Sequence, residues 1–213
     1  MGPLIFTAEI MTINFKSLPQ PLDKHEDLTR LLDRVGRMAR GLQYSHGLNP
    51  AQWDSLRFVA RANQLSRTPG GLAAFLGTTK GTASQTLKAL EKKGYVRRVA
   101  HKSDKRVRHL AITEDGEALL NEDPLNCLDK AVRGLEPQLS ESLSSALTQL
   151  CGEMQSRCGS TVFGVCTRCV HFEGETSGGN MRCGLKNVDL ACADAGKLCV
   201  SFKPAAGTCG SCG

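Results

Sequence analysis

The chain has 213 residues, a formal net charge of +6, 40% hydrophobic and 23% charged residues, and ten cysteines. That is a globular composition with enough apolar residues for a core, sized for one domain plus an appendage or for two small domains. No apolar run approaches the roughly eighteen residues that would span a bilayer. The opening MGPLIFTAEIMTINFKS lacks the basic n-region and small-residue cleavage site of a signal peptide, so a cytoplasmic protein without membrane contact is expected. In a reducing compartment, ten cysteines point to metal binding or redox chemistry rather than to a disulfide framework.

Residues 1–21 form an N-terminal extension, after which a run of short helices begins. Leu28, Leu31, Leu32, Val35, Met38, Ala39 and Leu42 recur at helical spacing and stop before Gly47. A second helix starts with Asn49 as N-cap and Pro50 at the first helical position. Thr68 and Pro69 repeat that device, and Gly77 ends the third helix. Thr79 caps a fourth, which turns Ala83, Leu87 and Leu90 inward and stops at Gly94. The tight turn between the third and fourth helices makes them a helix-turn-helix. The outer side of the second member carries Lys80, Thr82, Ser84, Gln85 and Lys88.

Two β-branched runs, YVRRVA and VRHLAI, flank the basic tip HKSDKR and predict a hairpin. A helix-turn-helix followed by a basic hairpin is a winged helix. Thr113 then caps a helix through Leu119, Leu120, Leu125, Leu128, Val132 and Leu135, with Pro124 expected to kink it. Leu139, Leu143, Leu147, Leu150 and Met154 mark one more helix. Cys127, Cys151 and Cys158 fall on these helices and are expected to act as small buried hydrophobes.

Charge is concentrated in the winged helix. Residues 78–110 hold ten Lys or Arg against Glu91 and Asp104, a local +8, while the rest of the chain sums to −2. Such a block on a near-neutral body is the footprint of a polyanion site. Lys80 and Lys88 reach phosphates or guanine edges, and Gln85 can pair with adenine. Thr82 and Ser84 suit phosphate or base-edge contacts beside a helix N-terminus.

The stretch from Leu72 to Leu120 resembles the DNA-binding region of MarR-type transcriptional regulators. The helix-turn-helix, LEKKGYV, the wing-tip Asp104-x-Arg106 and the LxIT-x-x-G entry to the next helix carry the resemblance, which covers roughly residues 22–155, within an expected dimerisation and DNA-binding domain of residues 22–158. It implies a homodimer on double-stranded DNA, assembled from the N-terminal helix and the last two helices. It also implies a recognition helix in the major groove and a wing at the minor groove. The DNA-contacting set is then Thr79, Lys80, Thr82, Ser84, Gln85, Lys88, Lys102, Asp104, Arg106 and Arg108. Arg106 would enter the minor groove, with Asp104 holding its guanidinium or serving only as a turn residue. Gly81 in the recognition helix departs from the pattern, at a helical cost of about 1 kcal/mol.

Residues 159–213 lie outside that resemblance. They hold seven of the ten cysteines and ten glycines, and are too short for a large core. The spacing is Cys166-x2-Cys169-x13-Cys183-x8-Cys192-x6-Cys199-x9-Cys209-x2-Cys212. Two CxxC knuckles could hold zinc through Cys166, Cys169, Cys209 and Cys212, with His171 a further donor. An iron–sulfur cluster also takes four thiolates, and Phe172 and Phe202 supply the aromatic cover it needs. CxxCxxF…CGL…CxxF-x-P resembles small cluster domains of the high-potential iron–sulfur protein type, found in accessory subunits of some glycyl-radical enzymes. That resemblance implies Cys166, Cys169, Cys183 and Cys199 as ligands of a 4Fe–4S cluster, with zinc and metal-free thiol chemistry as alternatives. Cys192 is a spare or substitute ligand.

The expected fold is therefore mainly α: a winged helix-turn-helix with a small irregular cysteine-rich metal-binding domain. No nucleotide loop, nucleophile–base pair or acidic metal cluster is visible, so an enzyme is not expected. The expected function is a DNA-binding regulator whose cysteines sense redox state, oxygen, iron or a small molecule. A zinc-stapled regulator and an iron–sulfur carrier or enzyme that docks through its winged helix are the alternatives. Because the tail follows the helix ending near Met154, the signal is expected to pass through that helix.

Overall fold

Start and stop signals along the chain set most helix boundaries in the computed structural model, which describes residues 24–100, 108–158, 163–176 and 179–204. The chain divides into two units, residues 1–38 and 39–213. Helix α1 (Lys24–Leu42) supplies the described part of the first unit. Along it Leu28, Leu31, Val35 and Met38 are exposed.

In the second unit, Asn49 caps α2 (Pro50–Arg61) with a full capping box, its side chain accepting from Gln52 N and the Gln52 side chain accepting from Asn49 N. Thr68 caps α3 (Pro69–Phe75) through Gly71 N, and Thr79 caps α4 (Lys80–Lys92) through Thr82 N. Gly77, at φ +60°, makes the turn between α3 and α4 in a conformation that disfavours a side chain. Strands β1 (Val96–Ala100) and β2 (Arg108–Ile112) pair antiparallel with Val96 opposite Ile112 and Ala100 opposite Arg108. Trp53, Leu56, Val59, Leu72, Leu87, Leu90 and Leu110 are fully buried and form the winged-helix core.

After the hairpin, α5 (Glu114–Asn121) is capped by Thr113, and α6 (Asn126–Arg133) is a separate helix. Pro124 thus ends a helix instead of kinking one. Asp123 helps the break by accepting from Leu125 N at 2.8 Å and from a buried cation. Arg57 donates through Nε and Nη2 to the two Asp123 oxygens, each at 2.7 Å, and through Nη1 to Gln43 and Asp54 at 2.9 Å. Burial works against the Asp123 charge, yet the Arg57 bonds, the Leu125 N–H and the charges of Arg57 and Arg61 hold its carboxyl below the usual range.

Helix α7 (Pro137–Cys158) leaves Leu139, Leu143, Leu147, Leu150 and Met154 exposed. Cys127 and Cys151 are exposed, not the buried hydrophobes that their helices imply. Among the described residues no helix is long and apolar enough to cross a membrane.

The cysteine-rich segment has more regular structure than its composition implies. Strands β4 (Phe172–Glu175), β5 (Met181–Cys183) and β6 (Val188–Leu190) form an antiparallel sheet, followed by the short helix α8 (Cys192–Ala195). Strand β3 (Gly164–Val165) pairs with β7 (Leu198–Cys199). Leu198 also bridges in parallel to Ala62, and its carbonyl accepts from Asn63 N at 2.9 Å. Leu198 and Val200 pack on the winged-helix core, while Leu65 packs into the small cluster around Leu190 and the cysteines. Phe163 meets Phe75 with ring centroids 5.1 Å apart. The segment therefore borrows core from the α2–α3 loop and α3. The segment thus sits directly on the helix-turn-helix.

Candidate nucleic-acid interface and thiol centre

Burial of Ala83, Leu87 and Leu90 turns the opposite side of α4 outward. Lys80, Thr82, Gln85 and Lys88 are exposed there, and Ser84 is half-buried. Thr79 is exposed, but its hydroxyl is engaged in capping, 3.2 Å from Thr82 N and 3.0 Å from Thr82 Oγ1. It shapes the helix N-terminus, where free amide N–H groups favour phosphate. Gly81 is the second helical residue, and a methyl group there would meet only Thr79 Oγ1 at 3.7 Å. Its interior-helix penalty is thereby reduced.

Arg108 is exposed at the start of β2. Arg98, across the hairpin, pairs with Glu91 at 3.1 Å. Lys102, Asp104 and Arg106 lie outside the described residues. The described part of the interface is thus one helix face and the base of a wing, both basic and both fixed to one core.

On the other side of the α2–α3 loop, Cys166, Cys169, Cys183 and Cys199 line a single apolar pocket with His171 and Phe172. Cys166, Cys183 and Cys199 are buried and Cys169 is half-buried. The four come from four places: Cys166 opens a short 3₁₀ turn, Cys169 follows it, Cys183 ends β5 and Cys199 ends β7. A CxxC turn thus supplies two thiols, while strand pairing brings in the two that are distant in sequence. Phe202 packs with Phe172 in the same cluster, so both aromatic residues stand where the sequence expects cover.

Hydrogen-bond donors surround the sulfurs. Asn63 Nδ2 donates to Cys166 Sγ at 3.4 Å, and Lys203 N donates to Cys169 Sγ at 3.4 Å. The Cys199 thiol is pushed down to about 5. The Cys166 S–H donates to it, and the Ser201 N–H, the Ser66 hydroxyl and the Asn63 amide add to the effect against burial. Cys166 moves the other way, because its proton is held by Cys199, burial disfavours a second thiolate, and Cys199 repels it.

Among the described residues, no three His, Cys, Asp or Glu side chains are gathered closely enough to hold a single metal ion. The thiols ring a shared pocket instead. Cys192 is outside this ring, exposed and bonded to Gly179 O at 3.2 Å, and Cys209 and Cys212 lie outside the described residues. Asn63 and Ser66 are site residues that sequence reasoning missed. Their only sequence signal is that they are polar residues in the short linker between the second and third helices.

The fold, a helix-turn-helix followed by a hairpin, is that of a winged helix. The comparisons narrow it: the MarR family model matches residues 46–107. The transcriptional repressor MprA of Escherichia coli K12 is 27% identical over 132 residues, 61% of this chain and 70% of the repressor. Among solved structures, a mutant of Staphylococcus aureus MepR superposes with a TM-score of 0.51 at 20% identity, over 63% of this chain and all of that one. Streptococcus pneumoniae FabT in complex with DNA has a TM-score of 0.49 at 24% identity, over 62% of this chain and 95% of that one. Residues 46–107, the helix-turn-helix and the start of the hairpin, are thus similar to the winged helix of the MarR family.

Proposed function

We propose that the protein is a homodimeric, sequence-specific DNA-binding regulator whose thiol centre holds a 4Fe–4S cluster that adjusts DNA affinity. The DNA half rests on the basic face of α4, where Lys80, Gln85 and Lys88 stand outward on a helix whose other side is locked into the core. Dimerisation is supported by the exposed leucines of α7, which give that helix an apolar side without cover in the monomer.

The observation that carries the sensing half is the pocket lined by Cys166, Cys169, Cys183 and Cys199. The residues fit such a group: four thiols, N–H donors directed at the sulfurs, and apolar cover from Phe172 and Leu65. A pocket ringed by thiols favours a polynuclear cluster over one zinc ion, which draws its four ligands to about 2.3 Å from a point. When bound, a cluster supplies one-electron redox chemistry whose potential is set by hydrogen bonds to sulfur and by solvent exposure. Zinc is the second reading, favoured only by the CxxC turn at Cys166 and Cys169.

Anaerobic purification with assays of iron, sulfide and zinc tests the reading. Iron and sulfide at about four each per chain are expected. Cys→Ser changes at the four pocket positions should abolish the broad visible absorbance, and Cys127→Ser and Cys151→Ser should leave it. Stoichiometric zinc without sulfide would replace the cluster by a structural staple.

A further inference from the structure

We propose that the thiol centre is completed by two residues of the winged helix, Asn63 and Ser66, and that through them the state of the centre reaches the DNA-binding helices. This rests on the cluster reading above. Asn63 is fully buried and Ser66 is 1% exposed. Their buried polar atoms require partners, and several of those partners are in the cysteine segment. Asn63 gives its amide N–H to Cys166 Sγ at 3.4 Å and its backbone N–H to Leu198 O at 2.9 Å. Ser66 Oγ accepts from the backbone N–H of Val200, the residue after Cys199, at 3.0 Å.

The same two residues shape the loop into α3. Asn63 Oδ1 accepts from Ser66 N at 2.9 Å, and the Asn63 carbonyl accepts from Arg67 N at 3.0 Å. The Ser66 carbonyl accepts from Thr68 N at 2.7 Å, and Thr68 is the N-cap of α3. Arg67 O accepts from Leu110 N at 2.9 Å, which ties the loop to wing strand β2. Little slack is left, since a methyl group on Gly71 would lie 2.0 Å from Ser66 O. A change in charge or volume at the sulfurs therefore acts on a rigid loop that holds both the first helix of the helix-turn-helix and the wing.

Asn63 and Ser66 are positioning residues, so the test reads more than DNA binding. Asn63→Asp keeps the acceptor for Ser66 N but removes the N–H donor, and Ser66→Ala removes the hydroxyl. Full-length protein, wild type and variants, is reconstituted anaerobically with iron and sulfide. Each is assayed for cluster content, reduction potential, and binding to a labelled duplex that the wild type selected from a randomised pool, before and after chelation. In the wild type, loading should change affinity by roughly 5- to 150-fold. In the variants, that ratio should fall below about twofold, and in Asn63→Asp the one-electron equilibrium should shift toward the oxidised cluster by about tenfold, or 59 mV. A variant that loses its cluster while Cys127→Ser retains it also places the residue in the centre.

Unchanged potential and an undiminished affinity ratio in both variants would overturn the proposal and leave the cluster reading intact. A loaded wild type whose affinity does not respond to chelation would overturn it too. Wild-type protein without iron and sulfide would overturn both readings together.

Discussion

Lys88→Ala offers the most quantitative test of the DNA interface. Lys88 is exposed on the outward side of α4, one turn beyond Ser84 and Gln85, with Leu87 and Leu90 fixing the helix rotation from the buried side. If its ammonium neutralises one phosphate, the proposed dimer loses two contacts, and the slope of log K against log salt becomes shallower by about 1.8. Over a fourfold rise in salt, from roughly 50 to 200 mM, the advantage of the wild type should therefore shrink about twelvefold. Fluorescence anisotropy at four or five salt concentrations gives both slopes. Arg98→Ala is the internal comparison, because Arg98 is already paired with Glu91 and should change the slope less. Parallel lines for Lys88→Ala and wild type would refute the placement of Lys88 at the phosphate backbone.

Two further predictions concern the scaffold. Asp123→Ala leaves Arg57 buried with Gln43 and Asp54 as hydrogen-bond partners and the Trp53 ring 5.6 Å away, which should cost about 3 kcal/mol, the low end for a broken buried pair. That corresponds to a fall in Tm of about 6–12 °C by calorimetry. Because the folded carboxyl of Asp123 is depressed, its contribution is present above the unfolded value of about 3.9 and is lost as pH falls through the folded value. Asp54 shifts upward because burial outweighs Arg57, with the Asp123 charge adding to the rise, so the advantage of wild type over Asp123→Asn, which should narrow as pH falls below about 3.9, reads Asp123 together with its effect on Asp54. Gly71→Ala should destabilise by about 1–3 kcal/mol, because its methyl group must displace the Ser66 carbonyl. An unchanged denaturation midpoint for Gly71→Ala would show that the α2–α3 loop is not rigid.

The sequence by itself determined the features whose causes are local. Asn49, Thr68, Thr79 and Thr113 start their helices by bonding an amide about three residues on, so type and spacing suffice to read them. The inward set Ala83, Leu87 and Leu90 follows from helical period, and the outward basic set follows with it. Two β-branched runs around a basic tip made the hairpin legible, and the Cys-x-x-Phe repeats marked two thiols with neighbouring aromatics. Tertiary structure decided what depends on partners far along the chain. Pro124 ends a helix partly because Asp123 is engaged by Arg57, 66 residues away. Asn63 belongs to the thiol centre because a sulfur 103 residues later is brought against it, and Ser66 because Val200, 134 residues later, donates to it. No periodicity records such pairings. The cysteine segment lacks the apolar surface to close its own core, so it finds that surface on the helix-turn-helix, and only the folded chain shows which loop it chose.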